Sequence, residues 1–247
     1  MPGRGRVSRA AVVTGASRGI GAGIAEALAQ EGYNLALCCE KSKDELEALA
    51  CNLTKSFGVG VAGYAGDVGD PAFAEELADC VEAHFGQTDV LVNNAGISHV
   101  GLLCDMTVEE WNRILSVNLS SCFYLTKAFV PGMVRRRSGH VIQISSIWGS
   151  RGASCEVAYS AAKGGMETFT KALAKELAPS GVAVNAISCG VIDTQMNAFL
   201  SLEERQELVD AIPQNRFGTP RDVADCVLAL LRTSYVTGQV LGVDGGF

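Results

Sequence analysis

The stretch AAVVTGASRGIG, Ala10 to Gly21, leads from a short apolar segment through a glycine-rich turn into a longer pattern. Residues 10–14 have the character of a buried strand, and a helix is predicted to begin near Gly19. Gly15, Gly19 and Gly21 allow the backbone to turn tightly and to approach a pyrophosphate, with the amides of the helix N-terminus facing the anion. Because glycine-rich turns have many uses, it is the position between strand and helix that predicts a dinucleotide site.

Apolar segments of strand length alternate with longer helical patterns along the rest of the chain. Seven strands are predicted, at Ala10–Thr14, Asn34–Cys39, Val59–Ala65, Val90–Asn94, His140–Ser145, Val182–Ile187 and Gln239–Val243. Strands that alternate with helices form a parallel sheet covered on both faces. The chain is therefore predicted to be α/β, a single-domain Rossmann fold over residues 1–247 with a doubly wound, seven-stranded parallel sheet.

Helix starts are marked by capping signals. A serine or threonine followed three residues later by glutamate, the spacing of a capping box, occurs at Ser42, Thr107 and Ser201. Asp70 and Thr219 each precede a proline, which is favoured at the first helical position.

A long insert, Gly190 to Pro220, separates the last two predicted strands and carries helical patterns of its own. Ligands of open α/β sheets bind beyond the carboxyl ends of the strands. The insert is therefore predicted to act as a helical substrate lid over residues 190–220.

Composition excludes several classes of partner. The chain has 247 residues, of which 48% are hydrophobic, and a net charge of −7. This charge argues against nucleic acid or an anionic membrane as the main partner, and no run is long enough to span a bilayer. Nine cysteines occur without a C-x-x-C spacing, so neither a metal site nor a disulfide framework is expected. We expect a cytoplasmic protein.

A set of motifs, in a fixed order, identifies a family. They are TGxxxGxG at Thr14–Gly21, an acid at Asp67, NNAG at Asn93–Gly96, then Asn118, Ser146, Tyr159 and Lys163, with the last two 13 and 17 residues after the serine. In this order and along its whole length, the chain resembles the short-chain dehydrogenase/reductase family. The small residues of VAYSAAKGG, residues 157–165, would then leave room for a nicotinamide ring and a carbonyl substrate.

The resemblance implies a catalytic role for four residues. Tyr159 would be the general acid, Ser146 would bind the substrate oxygen, Lys163 would hold the nicotinamide ribose, and Asn118 would support a proton-relaying water. A free tyrosine has a pKa near 10, and the Lys163 ammonium and an oxidised nicotinamide are expected to lower it. Simpler alternatives are a backbone-bonded helix residue for Asn118 and a strand-end cap for Ser146.

The same resemblance implies a set of cofactor contacts. These are Gly15, Ser17, Arg18, Gly19, Ile20, Gly21, Asp67, Val68, Asn94, Ala95, Gly96, Tyr159, Lys163, Gly190, Ile192 and Thr194. Arg18 favours a 2′-phosphate, since a guanidinium matches phosphate geometry, whereas Glu40 at the end of the second strand favours a bare ribose. With Lys41 and Lys43 available to compensate, we expect NADPH, and NADH stays open.

The sequence is consistent with two different substrates. The NNAG motif and the GQVLGVDGG ending look most like bacterial 3-oxoacyl-acyl-carrier-protein reductases. Arg135–Arg137 would offer a docking site for acyl carrier protein, or would be a solvated helix end favoured by the helix dipole. Ser180, where such reductases often carry a basic residue, weakens that docking. The stretch SSIWGSRGASCEVAYSAAKG, with AKELAPSG, looks instead like the bacterial reductases of the aminopentanone modification on elongation factor P. There, Glu156 beside Tyr159 would suit a substrate with an ammonium group, or would be a first-turn glutamate favoured by the helix dipole.

Three further expectations follow from the family comparison. Family members usually have Pro-Gly where this chain has Cys189-Gly190, so the order of that loop is in question and a redox-sensitive thiol is one hypothesis. A regulator that binds NADP without turnover is a third function, although all four catalytic positions are filled. The resemblance suggests a homotetramer.

Overall fold

The structure is a computed structural model that describes residues 9–198 and 200–247, and its centre is one parallel sheet. The strand order is β3-β2-β1-β4-β5-β6-β7, and every neighbouring pair is parallel. The strands are β1 Ala10–Thr14, β2 Asn34–Cys39, β3 Val61–Ala65, β4 Val90–Asn93, β5 Gly139–Ser146, β6 Val182–Cys189 and β7 Val240–Val243. The predicted seven-stranded parallel sheet is confirmed. The predicted domain, residues 1–247, includes positions 1–8 and 199, which lie outside the described residues.

Helices cover the sheet on both faces. They are α1 Gly19–Gln30, α2 Lys43–Phe57, α3 Pro71–Phe85, α4 Val108–Leu115, α5 Ser121–Arg136, α6 Ile147–Arg151, α7 Val157–Leu177, α8 Leu202–Ala211 and α9 Pro220–Leu231. Buried side chains of α1, α2 and α9 pack with one face of the sheet, and those of α3, α5 and α7 with the other. In β1, Val13 packs on the face covered by α1, α2 and α9, and Val12 packs on the face covered by α3, α5 and α7. A strand buried on both sides must be apolar throughout, which explains AAVVT.

The ends of the predicted strands shift for local reasons. Strand β3 begins at Val61 rather than Val59, because α2 continues to Phe57 and ends at Gly58 in the left-handed conformation, φ 68°. Strand β6 extends to Cys189, which lies opposite Ser146 of β5. The longer pairing places both residues at the carboxyl edge of the sheet.

Four of the five predicted helix caps are present. The side chains of Asp70, Thr107, Ser201 and Thr219 accept hydrogen bonds from first-turn amides. The prediction for Ser42 is wrong, since its side chain makes no capping bond. A capping residue normally has an extended backbone, whereas the ψ of Ser42 is 60°.

The insert after β6 crosses the carboxyl edge of the sheet. Its described residues include a bridge between Ile192 and Gly218, a short 3-10 turn at Gln195–Asn197, and α8. Across residues 9–198 and 200–247, none of the helices combines the length and apolar character needed to cross a membrane.

Candidate active site

A cavity of about 760 Å³ opens at the carboxyl edge of the sheet. The turns that follow β1, β2, β4 and β6, the end of β5 and the first turns of α7 surround it. Every residue predicted to contact the cofactor lines this cavity except Gly21, and Ser146 and Glu156 line it as well. Residues distant in sequence thus meet at one site.

The glycine-rich turn has the shape of a phosphate-binding loop. Gly15 and Gly19 have positive φ angles of 62° and 57°, and a Cβ on Gly15 would lie 2.8 Å from the Cα of Ala95. Gly21 lies behind the turn, where a Cβ would come within 2.3 Å of the Gly15 carbonyl oxygen. Arg18 at the N-cap of α1 gives no side-chain bond to the first-turn amides. The turn therefore fits a pyrophosphate at a helix N-terminus.

Asn94 and Thr14 hold the turns after β4 and β1 together. The Asn94 side-chain amide donates to the carbonyl oxygens of Thr14 at 2.9 Å and Gly15 at 3.0 Å. The backbone amides of Asn94 and Ala95 donate to the Thr14 hydroxyl at 3.0 and 3.1 Å. These bonds fix the cavity floor between the two strands.

Lys163 and Tyr159 face the cavity from one side of α7. The Lys163 Nζ donates to the Ile144 carbonyl at 2.7 Å and lies 5.5 Å from the centroid of the Tyr159 ring. Burial raises the pKa of the Tyr159 phenol well above its ordinary value, and the hydrogen bond with Ser146 offsets only part of this effect. Burial likewise lowers the pKa of Lys163. The predicted lowering of the phenol pKa depends on the Lys163 ammonium together with an oxidised nicotinamide, and it stays a prediction for the complex with cofactor.

The position of Ser146 is compatible with both of the roles considered from sequence. It ends β5 and lines the cavity, and its hydroxyl oxygen also accepts from the Trp148 amide at 3.2 Å as the N-cap of α6. The hydroxyl of Ser145 is used differently, since it donates to the buried Glu167 carboxylate at 2.9 Å. The serine with a hydroxyl hydrogen-bonded to Tyr159 is Ser146.

Asn118 is fully buried and does not line the cavity. It lies in a π-helical turn, Ser116–Ser120, between α4 and α5, a feature often found at functional sites. Its side-chain amide donates to the carbonyl oxygens of Ile97 at 2.9 Å and Ile114 at 3.0 Å, and its oxygen accepts from the Ile97 amide at 3.2 Å. The simpler, backbone-bonded description is therefore correct for this side chain. These hydrogen bonds hold the turn after β4, which carries Ile97, in place.

The far end of the cavity carries charged residues. Asp67 and Glu40 line it after β3 and β2, and Arg113 of α4 reaches both carboxylates, at 2.5 Å and 3.4 Å. Burial would raise the pKa of the Asp67 carboxyl, but hydrogen bonds from Arg113 and the Gly69 amide and the Arg113 charge together lower it. Arg18 pairs with Glu45 at 3.4 Å.

The sequence is similar to those of known oxidoreductases along almost its whole length. A family model described as enoyl-(acyl carrier protein) reductase matches residues 15–247. YmfI of Bacillus subtilis strain 168, named an uncharacterized oxidoreductase, is 40% identical over 243 residues, 98% of this chain and 99% of that protein. The 3-oxoacyl-[acyl-carrier-protein] reductase FabG is 40% identical in Escherichia coli strain K12, over 238 residues and 96% of each chain. FabG of Staphylococcus aureus strain Mu50 is 40% identical over 243 residues, 98% of each chain.

This chain belongs to the short-chain dehydrogenase/reductase family. The resemblance read from the ordered motifs is confirmed, and the protein is an oxidoreductase. The comparisons imply a nicotinamide cofactor, and they do not support the alternative of a regulator without catalysis.

In this member of the short-chain dehydrogenase/reductase family, a carboxylate stands at the rim of the cavity. Glu156 is the residue before α7, and its side chain makes no capping bond to that helix. Its carboxylate accepts instead from the Ser98 hydroxyl at 2.9 Å and lines the cavity. Since Glu156 also stands at the N-terminus of α7, where the helix dipole favours a carboxylate, both the substrate role and the helix-start alternative stay predictions.

The three arginines Arg135–Arg137 lie at the opposite edge of the sheet. They precede β5, whose two ends, Gly139 and Ser146, lie seven steps apart, roughly 23 Å at about 3.3 Å per residue. Arg136 and Arg137 donate to the carbonyl oxygens of Thr88 and Pro179, and Arg135 lies 3.7 Å from Glu82. Strand direction places them away from the cavity, and docking of an acidic carrier protein on these arginines stays a prediction.

Cys189, which replaces the usual proline of the short-chain dehydrogenase/reductase family, is a buried thiol. Burial raises its pKa to about 12, so little thiolate forms near neutral pH. The loop after it is ordered by the Gly190 amide, which donates to the Val243 carbonyl at 2.9 Å. The hypothesis of a redox-sensitive Cys189 is thus not supported.

Two charged residues beside the site were not predicted from sequence. Glu167 is buried behind the catalytic strand, and its position four residues after Lys163 on one face of α7 could have indicated it. Arg113 comes from a different element, and no local spacing connects it with Asp67 or Glu40.

Proposed function

We propose that this protein reduces a ketone to a secondary alcohol with NADPH, and that its substrate is a 3-oxoacyl group on acyl carrier protein. The observation that carries the proposal is that Ser146, Tyr159 and Lys163 share one cavity with the glycine-rich turn. The FabG reductases, which are 40% identical over 96% or more of each chain, are named for that substrate.

The cavity wall fits a nicotinamide dinucleotide, because its glycine-rich turn leaves no room for a side chain at Gly15 and ends at an uncapped helix N-terminus. NADPH, when bound, supplies the hydride. The turn and the amides of α1 hold the pyrophosphate, Asp67 and Val68 contact the adenosine, and Lys163 holds the nicotinamide ribose. The remaining wall is formed by Asn94, Ala95, Gly96, Gly190, Ile192 and Thr194.

Tyr159 acts as the proton donor. Because its pKa is raised by burial, the phenol keeps its proton at neutral pH and is in the correct state to protonate the developing alkoxide. Ser146 donates a hydrogen bond to the substrate oxygen. Asn118 positions the turn that carries Gly96 and Ile97, and the water relay implied by the family for Asn118 stays a prediction.

The mouth of the cavity suits an acyl chain. Val100 and Met196 line it while their side chains are 64% and 51% exposed. Exposed apolar side chains at a cavity mouth favour an apolar ligand. Met196 lies in the insert at residues 190–220, which we propose acts as the substrate lid.

A second candidate substrate is supported by Glu156. Its carboxylate at the rim would attract a substrate that carries an ammonium group, such as the aminopentanone modification on elongation factor P, and would repel an anionic one. We also propose a cytoplasmic homotetramer, on the family resemblance.

One comparison of substrates tests the proposal. NADPH consumption is measured with acetoacetyl-acyl carrier protein, with a short acetoacetyl thioester, and with aminopentanone-modified elongation factor P. The proposal predicts the highest kcat/KM for the carrier-bound substrate. A higher value for the modified elongation factor would replace the first substrate by the second, and binding of NADPH without turnover of any ketone would contradict both.

A further inference from the structure

Two carboxylates line the end of the cavity where the adenosine of the cofactor is proposed to bind: Glu40 after β2 and Asp67 after β3. An acid at the end of the second strand accepts hydrogen bonds from ribose hydroxyls, and it repels a 2′-phosphate. The proposed NADPH preference therefore requires that the charge of Glu40 be offset.

Arg113 is placed to offset it. One guanidinium nitrogen lies 2.5 Å from the Asp67 carboxylate and another lies 3.4 Å from Oε1 of Glu40. A planar guanidinium can contact two carboxylates at once, and here it links the ends of two strands to α4. Lys41 Nζ lies 3.5 Å from the same Glu40 oxygen.

The other charges at this end show why Arg113 matters. Arg18 lines the cavity, but it is shared with Glu45 at 3.4 Å. Lys41 lines the cavity with an 85% exposed side chain. Arg113 does not line the cavity, so it acts through the carboxylates it holds and not by contact with a phosphate.

We infer that Arg113 is a positioning residue that sets the cofactor preference by neutralising Glu40, so that a 2′-phosphate is accepted beside it. The inference rests on the proposed use of NADPH. Without Arg113, only the exposed Lys41 ammonium, among the described residues, remains beside Glu40, and the Glu40 carboxylate more readily accepts a hydrogen bond from a 2′-hydroxyl and more strongly repels a 2′-phosphate. Asp67 is freed as well, but it affects both cofactors alike, because the adenine is common to them.

The test measures equilibrium dissociation constants of NADPH and NADH by fluorescence titration, without substrate. In Arg113→Ala, the NADPH-over-NADH affinity ratio is expected to fall about five-fold, or about 1 kcal/mol at 1.4 kcal/mol per tenfold. The double variant Arg113→Ala/Glu40→Gln is expected to recover the wild-type ratio within about two-fold, because the charge that Arg113 offsets is gone. Arg135→Ala, on the far edge of the sheet, is the control.

The single variant Glu40→Gln keeps the inference testable if the Arg113 variants do not fold. Since Glu40 is already neutralised in the wild type, this change should alter the ratio by less than about two-fold. The inference is overturned if Glu40→Gln alone raises the ratio five-fold or more, if Arg113→Ala weakens both cofactors equally, or if the double variant fails to recover. The NADPH-over-NADH affinity ratio of the wild type tests the proposed use of NADPH. The change in that ratio on mutation tests the role of Arg113, and it can be measured whichever cofactor the wild type prefers.

Discussion

The two ends of the cavity differ in burial, and this difference separates catalysis from cofactor choice. At the catalytic end, Lys163 and Asn118 are 3% and 0% exposed and bond to backbone carbonyls. At the adenosine end, the side chains of Arg113, Glu40 and Asp67 are 37–41% exposed and pair with one another. A buried polar group that loses its partner costs about 1–3 kcal/mol, whereas exposed ion pairs contribute up to about 1 kcal/mol. Mutations are therefore expected to cause large losses of activity or stability at the catalytic end, and small, salt-dependent changes in cofactor affinity at the adenosine end.

The largest effect is expected from Tyr159→Phe at the buried end. Only the proton donor is lost, so kcat should fall about a hundred-fold or more, while the dissociation constant of NADPH changes by less than about two-fold. Steady-state kinetics and fluorescence titration measure the two quantities. Retention of more than about a tenth of wild-type activity would remove Tyr159 from the proposed role.

The next effect is on stability, from Asn118→Ala. The change leaves the Ile97 amide and the Ile97 and Ile114 carbonyl oxygens without this partner, and the free energy of unfolding should fall by about 2–3 kcal/mol. Urea denaturation measures it, with the exposed Asn112→Ala as the control, expected within about 0.5 kcal/mol of wild type. A loss below about 1 kcal/mol would show that the buried end tolerates change better than its bonding indicates.

A smaller effect is expected at the rim, from Glu156→Gln. If the substrate carries an ammonium group, kcat/KM should fall about ten-fold, since a hydrogen bond to a charged group contributes about 1.5–3 kcal/mol. Neutral ketones and short acyl thioesters should be almost unaffected, and Glu203→Gln in the first turn of α8 serves as the control. An equal effect on all substrates would mean that Glu156 has no part in substrate choice.

The smallest effect is expected at the exposed end, from Arg18→Ala. The ratio of NADPH to NADH affinity should fall a few-fold, because the Arg18 side chain is 54% exposed and already shared with Glu45. The effect should shrink further when salt is raised from about 0.1 M to 1 M, where the Debye length drops from about 10 to 3 Å. A wild-type preference for NADH would show that Glu40, not Arg18, governs this end.

Most of the fold could be predicted because its signals are local. A strand buried on both faces needs continuous apolar residues, and AAVVT at residues 10–14 has them. Ser42 shows the limit, since its capping spacing is correct but its backbone turns away from the extended conformation. Spacing in sequence reports which residues are near one another, and it does not report their backbone angles.

The site could be predicted in part, for a similar reason. The glycine-rich turn and the Tyr159–Lys163 spacing lie within single elements, and the structure brings them to one cavity. The contacts of Arg113 with Asp67 and Glu40 join three elements, and the position of Arg135–Arg137 depends on strand direction. The sign of the Tyr159 pKa shift depends on burial, which follows from packing of the whole domain.

Transfer of a labelled hydride tests the central claim most directly. NADPH deuterated at C4 of the nicotinamide, in each of its two stereochemical forms, is mixed with an acetoacetyl thioester, and the product is analysed by mass spectrometry. The account predicts a 3-hydroxyacyl product with one deuterium at C3 from one form only, and about a hundred-fold less product with Tyr159→Phe. Absence of deuterated product from both forms, in a protein shown to bind NADPH, would contradict the assignment of this cavity as a ketone-reducing site.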